Sequence, residues 1–283
     1  MAISMLINGR ESDTLPASDR GLLYGDGLFE TVRIRESRPL LWSAHLQRLE
    51  RDAARLGIPC PLSLIEEESR QLLQAMADAG HSEGILKIIL TRGSGGRGYA
   101  PPNPAQARRI IQWHDLPPQM AERAAQGIRV RICEHPLSEN PRLAGIKHLN
   151  RLDQVLASAE LSGDIDEGLM CDQQGRIIEG CKSNLFLVRD RQLHTPSLER
   201  SGVAGVMRAW LLEQARALPE IEVQTPGTVL RSALHEADEI FVCNSVIGLW
   251  PLQELHDGEH LLRFDPGPVC RTLQRLADDR LQL

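Results

Sequence analysis

Between residues 114 and 126 the sequence carries the adjacent pair Pro117-Pro118, and on either side lies a half rich in apolar patterning. Proline fixes its own backbone and donates no hydrogen bond, so neither a helix interior nor a central strand runs through such a pair. A chain of 283 residues also exceeds what one hydrophobic core usually serves. The break therefore predicts two domains, residues 1–116 and 127–283, with a linker over 117–126; one large domain is the alternative.

In the first half, Ser4–Asn8 and Leu28–Arg35 read as strands. Leu46, Leu49, Ala53 and Leu56 then recur at helical spacing, with Ser43 as N-cap and Gly57 and Pro59 as a stop. A second helix is expected over Leu64–Ala79 and strands over Gly84–Thr91 and Arg109–Trp113. The intervening RGSGGRGYAPPNP is too rich in Gly and Pro for regular structure.

The second half opens with the strand Ile128–Cys133. A helix follows in which Leu149, Leu152, Leu156 and Ala159 share a face, with Lys147 at its beginning. Gly168–Cys171, Arg176–Ile178, Leu185–Val188 and Leu193–Thr195 suggest an antiparallel meander. A helix Val206–Leu218, a strand Glu239–Asn244 and a terminal helix complete an α+β reading with mixed, largely antiparallel sheets.

The net charge of −6 comes without a basic block, which disfavours a nucleic-acid partner. No apolar run reaches the length of a membrane span, and the N-terminus lacks a secretory pattern, so a cytoplasmic protein acting on small molecules is expected. Cys60, Cys133, Cys171, Cys181, Cys243 and Cys270 form no C-x-x-C pair, a pattern of reduced thiols, with no metal site expected. His256 and His260 stand in the polar stretch HDGEH and read as solvated loop residues.

Only three of the 32 basic residues are lysines: Lys87, Lys147 and Lys182. Lys87 lies within a strand and Lys182 in the turn EGCKSN. Lys147, in AGIKHLN, stands where a loop enters a helix; an ammonium partly withdrawn from water there loses its proton more readily and serves as a Schiff-base nucleophile and proton carrier. Glu179 ends a strand before a small-residue turn, where its carboxylate could face a cleft. Gly202 and Gly205 precede a helix whose free N–H groups, near Val206 and Met207, suit a phosphate. Arg48 and the pair Asn244–Ser245 are further candidate phosphate donors.

Taken singly, each of these has an ordinary surface explanation. Together, YGDGLFETVR (24–33), HLQRL (45–49), AGIKHLNRLDQVL (144–156), EGCKSNLF (179–186) and TP…GVAGVMR (195–208) resemble fold type IV pyridoxal-phosphate enzymes, in order and over about four-fifths of the chain. The resemblance implies two α/β domains with the cofactor between them, in a homodimer. It implies that Lys147 bonds pyridoxal 5'-phosphate, that Glu179 faces the pyridine nitrogen, and that Arg48, Val206, Met207 and Ser245 hold the phosphate. Asn150 and Arg151 would lie near the ring, Arg151 replacing the tyrosine of branched-chain members.

The RGSGGRGYAPP loop (92–102) and AGIKHLNRLDQVL resemble, within that family, the lyases acting on 4-amino-4-deoxychorismate. That branch implies elimination to 4-aminobenzoate and pyruvate, a step towards folate, with Arg97 and Tyr99 as candidate contacts to the substrate's carboxylate and ring. A D-amino-acid or branched-chain aminotransferase is the alternative within the fold, and a cofactor-free binding protein retaining the fold is a second.

Overall fold

The computed structural model describes residues 4–281. Its contacts divide the chain into two units: one runs to Pro117 and takes back Lys147–Asn150, the other comprises Pro118–Ile146 and the chain from Arg151 onward.

The first unit contains β1 (Met5–Ile7), β2 (Arg10–Glu11), α1 (Arg20–Tyr24), β3 (Gly27–Arg35), β4 (Arg38–Pro39), α2 (Trp42–Leu56), α3 (Leu62–Asp78), β5 (Gly84–Thr91) and β6 (Arg108–His114). Its six strands form one sheet in the order β2-β1-β6-β5-β3-β4, antiparallel at every pairing. The period of two along β3 and β5 turns Leu28, Val32, Ile34, Leu86, Ile88 and Leu90 to one buried face. There α2 packs on β3 and α3 on β6, bringing Leu49, Ala53, Ile65 and Leu72 into the same core. Helix α2 starts at Trp42 from Leu41 in the left-handed region (φ 52°), not from a Ser43 cap; Gly57 ends it at φ 64°, as expected of a glycine stop.

The second unit contains α4 (Met120–Gln126), β7 (Ile128–Ile132), α5 (Leu152–Ala159), β8 (Glu167–Cys171), β9 (Arg176–Gly180), β10 (Asn184–Arg189), β11 (Gln192–His194), α6 (Val206–Arg216), β12 (Glu222–Val223), β13 (Val229–Leu230), β14 (Glu239–Asn244), β15 (Gly248–Asp257), β16 (His260–Arg263) and α7 (Pro268–Leu281). Its sheet runs β12-β11-β10-β14-β15-β7-β8-β9-β13, with β16 on β15. The pairs β15–β7, β7–β8 and β11–β12 are parallel, so the sheet is mixed and the class is α+β.

Three readings of the sequence differ from this architecture. Helix α4 occupies most of the stretch read as a linker. The supposed meander is two hairpins, β8–β9 and β10–β11, separated in the sheet by β14, β15 and β7. His256 and His260 sit on the paired strands β15 and β16 and not in a loop. Among the described residues no helix is long and apolar enough to cross a membrane.

Candidate active site

Lys147 lies in extended backbone, five residues before α5 begins at Leu152, and not at a helix start. The carbonyl of Lys147 accepts the N–H of Phe29 (3.1 Å) and the N–H of Leu149 donates to Gly27 (3.0 Å), with His148 bridged to Leu28. The segment thus adds to the edge of the sheet beside the start of β3. A β-ladder fixes backbone direction more firmly than a loop does, so the side chain of Lys147 leaves from a set point. Its Nζ stands 4.1 Å from the centroid of the Phe29 ring. Lys87 reaches the same ring at 5.8 Å, while Lys182 is exposed and donates to the Asp166 carbonyl.

Behind this segment, α2 presents a charged face to the sheet. The Lys147 N–H donates to Asp52 (3.3 Å). One turn earlier, Arg48 donates from Nε to Glu30 (2.8 Å) and through a second nitrogen to the other Glu30 oxygen; His45 Nδ1 lies 2.6 Å from the same carboxylate. All four side chains are buried. Burial by itself would raise the Glu30 carboxyl, but the charge and hydrogen bonds of Arg48, with a further bond from His45, bring it down to about 2. Burial lowers His45, so the ring is neutral near pH 7 with its proton on Nδ1, and Nε2 has no hydrogen-bond partner among the described residues. Glu30, His45 and Asp52 were not singled out from the sequence. The available signal was a carboxylate at a core-facing position between Leu28 and Val32, opposite a helix with polar residues at 45, 48 and 52 on one face.

Asn150 donates its amide to the carbonyl of Gly25 (3.0 Å). Gly25 sits at φ +64°, and a Cβ there would come within 2.5 Å of the Asn150 carboxamide, so glycine is required on both counts. Lys147, Asn150 and the α2 face carrying Arg48 are therefore assembled within the first unit. Arg97 and Tyr99 are exposed on the irregular segment between β5 and β6.

In the second unit, Glu179 lies on β9, buried, and accepts the N–H of Val203 (2.8 Å) and the amide of Asn184 (3.5 Å). Asn184 also donates to the Val203 carbonyl (2.9 Å). Arg208, on α6, is anchored by Thr195 (3.0 Å) and the Pro196 carbonyl (2.9 Å). Burial lowers the pKa of Arg208, with Cys243 and Glu179 opposing, and burial likewise lowers that of Arg151, with Glu179 and Asp153 opposing. The charge of Glu179 thus acts on two cations of its own unit, Arg151 and Arg208.

Helix α6 starts from Gly205 with no side-chain cap, so the N–H groups of Val206 and Met207 belong to a first turn that has free donors. A Cβ on Gly205 would meet Asn184 Oδ1 at 2.0 Å, so glycine makes room there for Asn184 beside the helix start. Asn244 is committed elsewhere: it donates to the Lys182 carbonyl (3.0 Å) and accepts from Val246 and Ile247. Its side chain organises the turn that presents Ser245.

The chain is similar to an aminodeoxychorismate lyase of Vibrio harveyi, with 35% identity over 95% of this chain and 97% of that one. It is similar in structure to the 4-amino-4-deoxychorismate lyase of Pseudomonas aeruginosa, at TM-score 0.90 and 44% identity over 99% of this chain and 100% of the other. A hypothetical aminotransferase from Mycobacterium tuberculosis in PLP-bound form shares the fold, at TM-score 0.81 and 21% identity over 98% of each. The family profile matches residues 27–255, a span that holds Lys147 and Glu179, and the chain belongs to the amino-transferase class IV family.

Proposed function

We propose that this chain is a pyridoxal-phosphate-dependent aminodeoxychorismate lyase, converting 4-amino-4-deoxychorismate to 4-aminobenzoate and pyruvate as a step towards folate. The observation that carries this reading is the match, over essentially the whole of both chains, to a lyase of that name at 44% identity.

The residues present fit the cofactor chemically. The first unit offers a primary amine on fixed backbone, Lys147, and the second a buried carboxylate, Glu179, and a helix start at Gly205 with no side-chain cap. The cofactor, when bound, supplies an aldehyde carbon that exchanges amines and a pyridine ring that takes up an electron pair. Lys147 would hold it covalently; Glu179 would keep the ring nitrogen protonated by its charge. The N–H groups of Val206 and Met207, with Arg48 and Ser245, would carry the phosphate, and Asn150 and Arg151 would stand near the ring.

The Lys147 amine is the base that takes the proton from the amine-bearing ring carbon of the substrate. Departure of the enolpyruvyl oxygen from the adjacent carbon then leaves an aromatic ring. Because aromatisation is strongly downhill, the protein's main task is alignment and charge placement. Arg97 and Tyr99 would contact the substrate's carboxylate and ring, the acting form would be a homodimer, and the location cytoplasmic.

In a lyase the amino group leaves with the product, whereas a transaminase retains it and needs a keto-acid acceptor. Excess aminodeoxychorismate should give many turnovers of aminobenzoate and equimolar pyruvate with no keto acid added. A single turnover that resumes only with 2-oxoglutarate would replace this reading with an aminotransferase.

A further inference from the structure

The segment between β5 and β6 carries Gly93, Gly95, Gly96 and Gly98, all at positive φ, a composition that by itself leaves the backbone many conformations. It is nevertheless fastened at three consecutive residues. Arg20, buried at the start of α1, donates to the carbonyls of Gly98 (3.1 Å), Tyr99 (2.9 Å) and Ala100 (3.3 Å). Its Nε donates to Asp26 (2.8 Å).

Asp26 accepts equally from Arg92 Nε (2.8 Å). The other nitrogens of Arg92 donate to the carbonyls of Leu56 and Gly57 at the end of α2. Burial would raise the Asp26 carboxyl, but Arg92 and Arg20 bring it below the ordinary carboxylate range, so the cluster is ionic. The Arg20 guanidinium also lies 4.9 Å over the Tyr24 ring, which meets the Tyr99 ring edge-on at 5.5 Å.

A buried guanidinium spent on three backbone carbonyls is a costly way to hold a surface segment. The return is geometric: the planar fork reaches several acceptors at once, as an ammonium does not. The fastened backbone carries two exposed side chains, Arg97 and Tyr99, the latter 85% exposed. They are a cation and an aromatic ring on either side of Gly98, both suited to an anionic cyclic ligand.

We propose that Arg20 is a positioning residue for substrate recognition: by fixing the carbonyls of residues 98–100 it holds Arg97 and Tyr99 ready for the substrate carboxylate. This rests on the lyase reading for the identity of the substrate, but not for the clasp itself. Preorganised contacts of this kind improve binding by removing an ordering cost, so their loss falls on KM before kcat.

The test is a double-mutant cycle of Arg20→Lys and Arg97→Ala on the cofactor-loaded enzyme. Arg20→Lys should raise KM for aminodeoxychorismate about tenfold while kcat falls by no more than about threefold. Added to Arg97→Ala it should change KM little further, since it acts through Arg97. Amide exchange over residues 96–100 should quicken in Arg20→Lys, with the bound-cofactor spectrum unchanged. Tyr24→Leu, which leaves the buried charges in place, should move exchange and KM the same way and serves if Arg20→Lys fails to fold. Additive effects in the cycle, or unchanged exchange at 96–100, would overturn the proposal. If the unsubstituted enzyme makes no aminobenzoate, the lyase reading fails separately. The cycle is then run on half-transamination of D-alanine or L-leucine, which also present a carboxylate.

Discussion

Glu30 shows how a single side chain ties the fold to the candidate site. It projects from the core face of β3, between Leu28 and Val32, and is 1% exposed. Its two oxygens are taken by Arg48 and His45, so the same carboxylate orients the arginine proposed to hold the phosphate. Removing one partner of a buried ion pair strands the other, at about 3–5 kcal/mol; Glu30→Gln should therefore lower unfolding stability by an amount of that order at pH 7. The pH dependence follows from the depressed carboxyl. On acidification the unfolded chain takes up this proton first, near the ordinary value of 4.5, whereas the folded chain resists until about 2. Glu30's contribution is thus complete above about pH 5 and is lost as pH falls towards 2. Neutral His45 adds to the trend, because a ring whose pKa is lowered by burial also favours the folded chain only above its unfolded value. Denaturant titrations at pH 7 and pH 3 should show the gap between wild type and Glu30→Gln narrowing. A gap that stays constant or widens would mean that Glu30 is not the ionised centre of this cluster.

At the scale of elements, helix α6 joins sequence to site most directly. Gly205 gives an N-terminus without a side-chain cap, and Asn184 fills the space a Cβ would take while bonding Val203. Gly205→Ala forces the helix start or Asn184 to move, an overpacking of about 1–3 kcal/mol. Titration with pyridoxal phosphate should show affinity reduced about tenfold or more, by the factor that a loss of about 1.4 kcal/mol at the phosphate corresponds to; unaltered affinity would remove the α6 start from the site. This helix was legible in the sequence because glycines and an apolar face coincide. Helix α5 was less so. Leu152 and Leu156 lie at helical spacing, yet Ala157 is its buried residue, since periodicity reveals a face without revealing what covers it. Lys147, expected at a helix start, lies instead five residues before α5. The pairing of its backbone with Phe29 and Gly27 is a contact across more than a hundred residues, which no local pattern carries. The same holds for the sheet order that splits β8–β9 from β10–β11, and for β15, where Pro251 within the run discourages a strand reading. The charged face of α2 was missed because polar residues on a helix normally read as its wet side.

For the molecule as a whole, the telling surface is apolar. On α5, Leu152 is 74% exposed, Val155 58% and Leu156 51%, at positions i, i+3 and i+4 of one stripe. In the other unit, α1 exposes Leu22 and Leu23. Scattered exposed leucines need no explanation, but a contiguous helical stripe points to something that covers it. Full burial of one such side chain is worth about 1.5–3 kcal/mol, so three on a helix supply a meaningful part of an interface. A stripe on a short helix also suits a two-fold axis, across which the same residues meet themselves. The occupant proposed for it is a second copy of this chain. Sedimentation at micromolar concentration should give a species near twice 31.5 kDa. Leu152→Asp combined with Leu156→Asp should shift it towards the monomer with secondary structure retained, because a carboxylate facing its own symmetry mate is both desolvated and repelled. If wild type sediments as a monomer, the stripe awaits a different partner. If the double variant remains a dimer, the two-fold contact lies on another face, and the α1 leucines become the next surface to substitute.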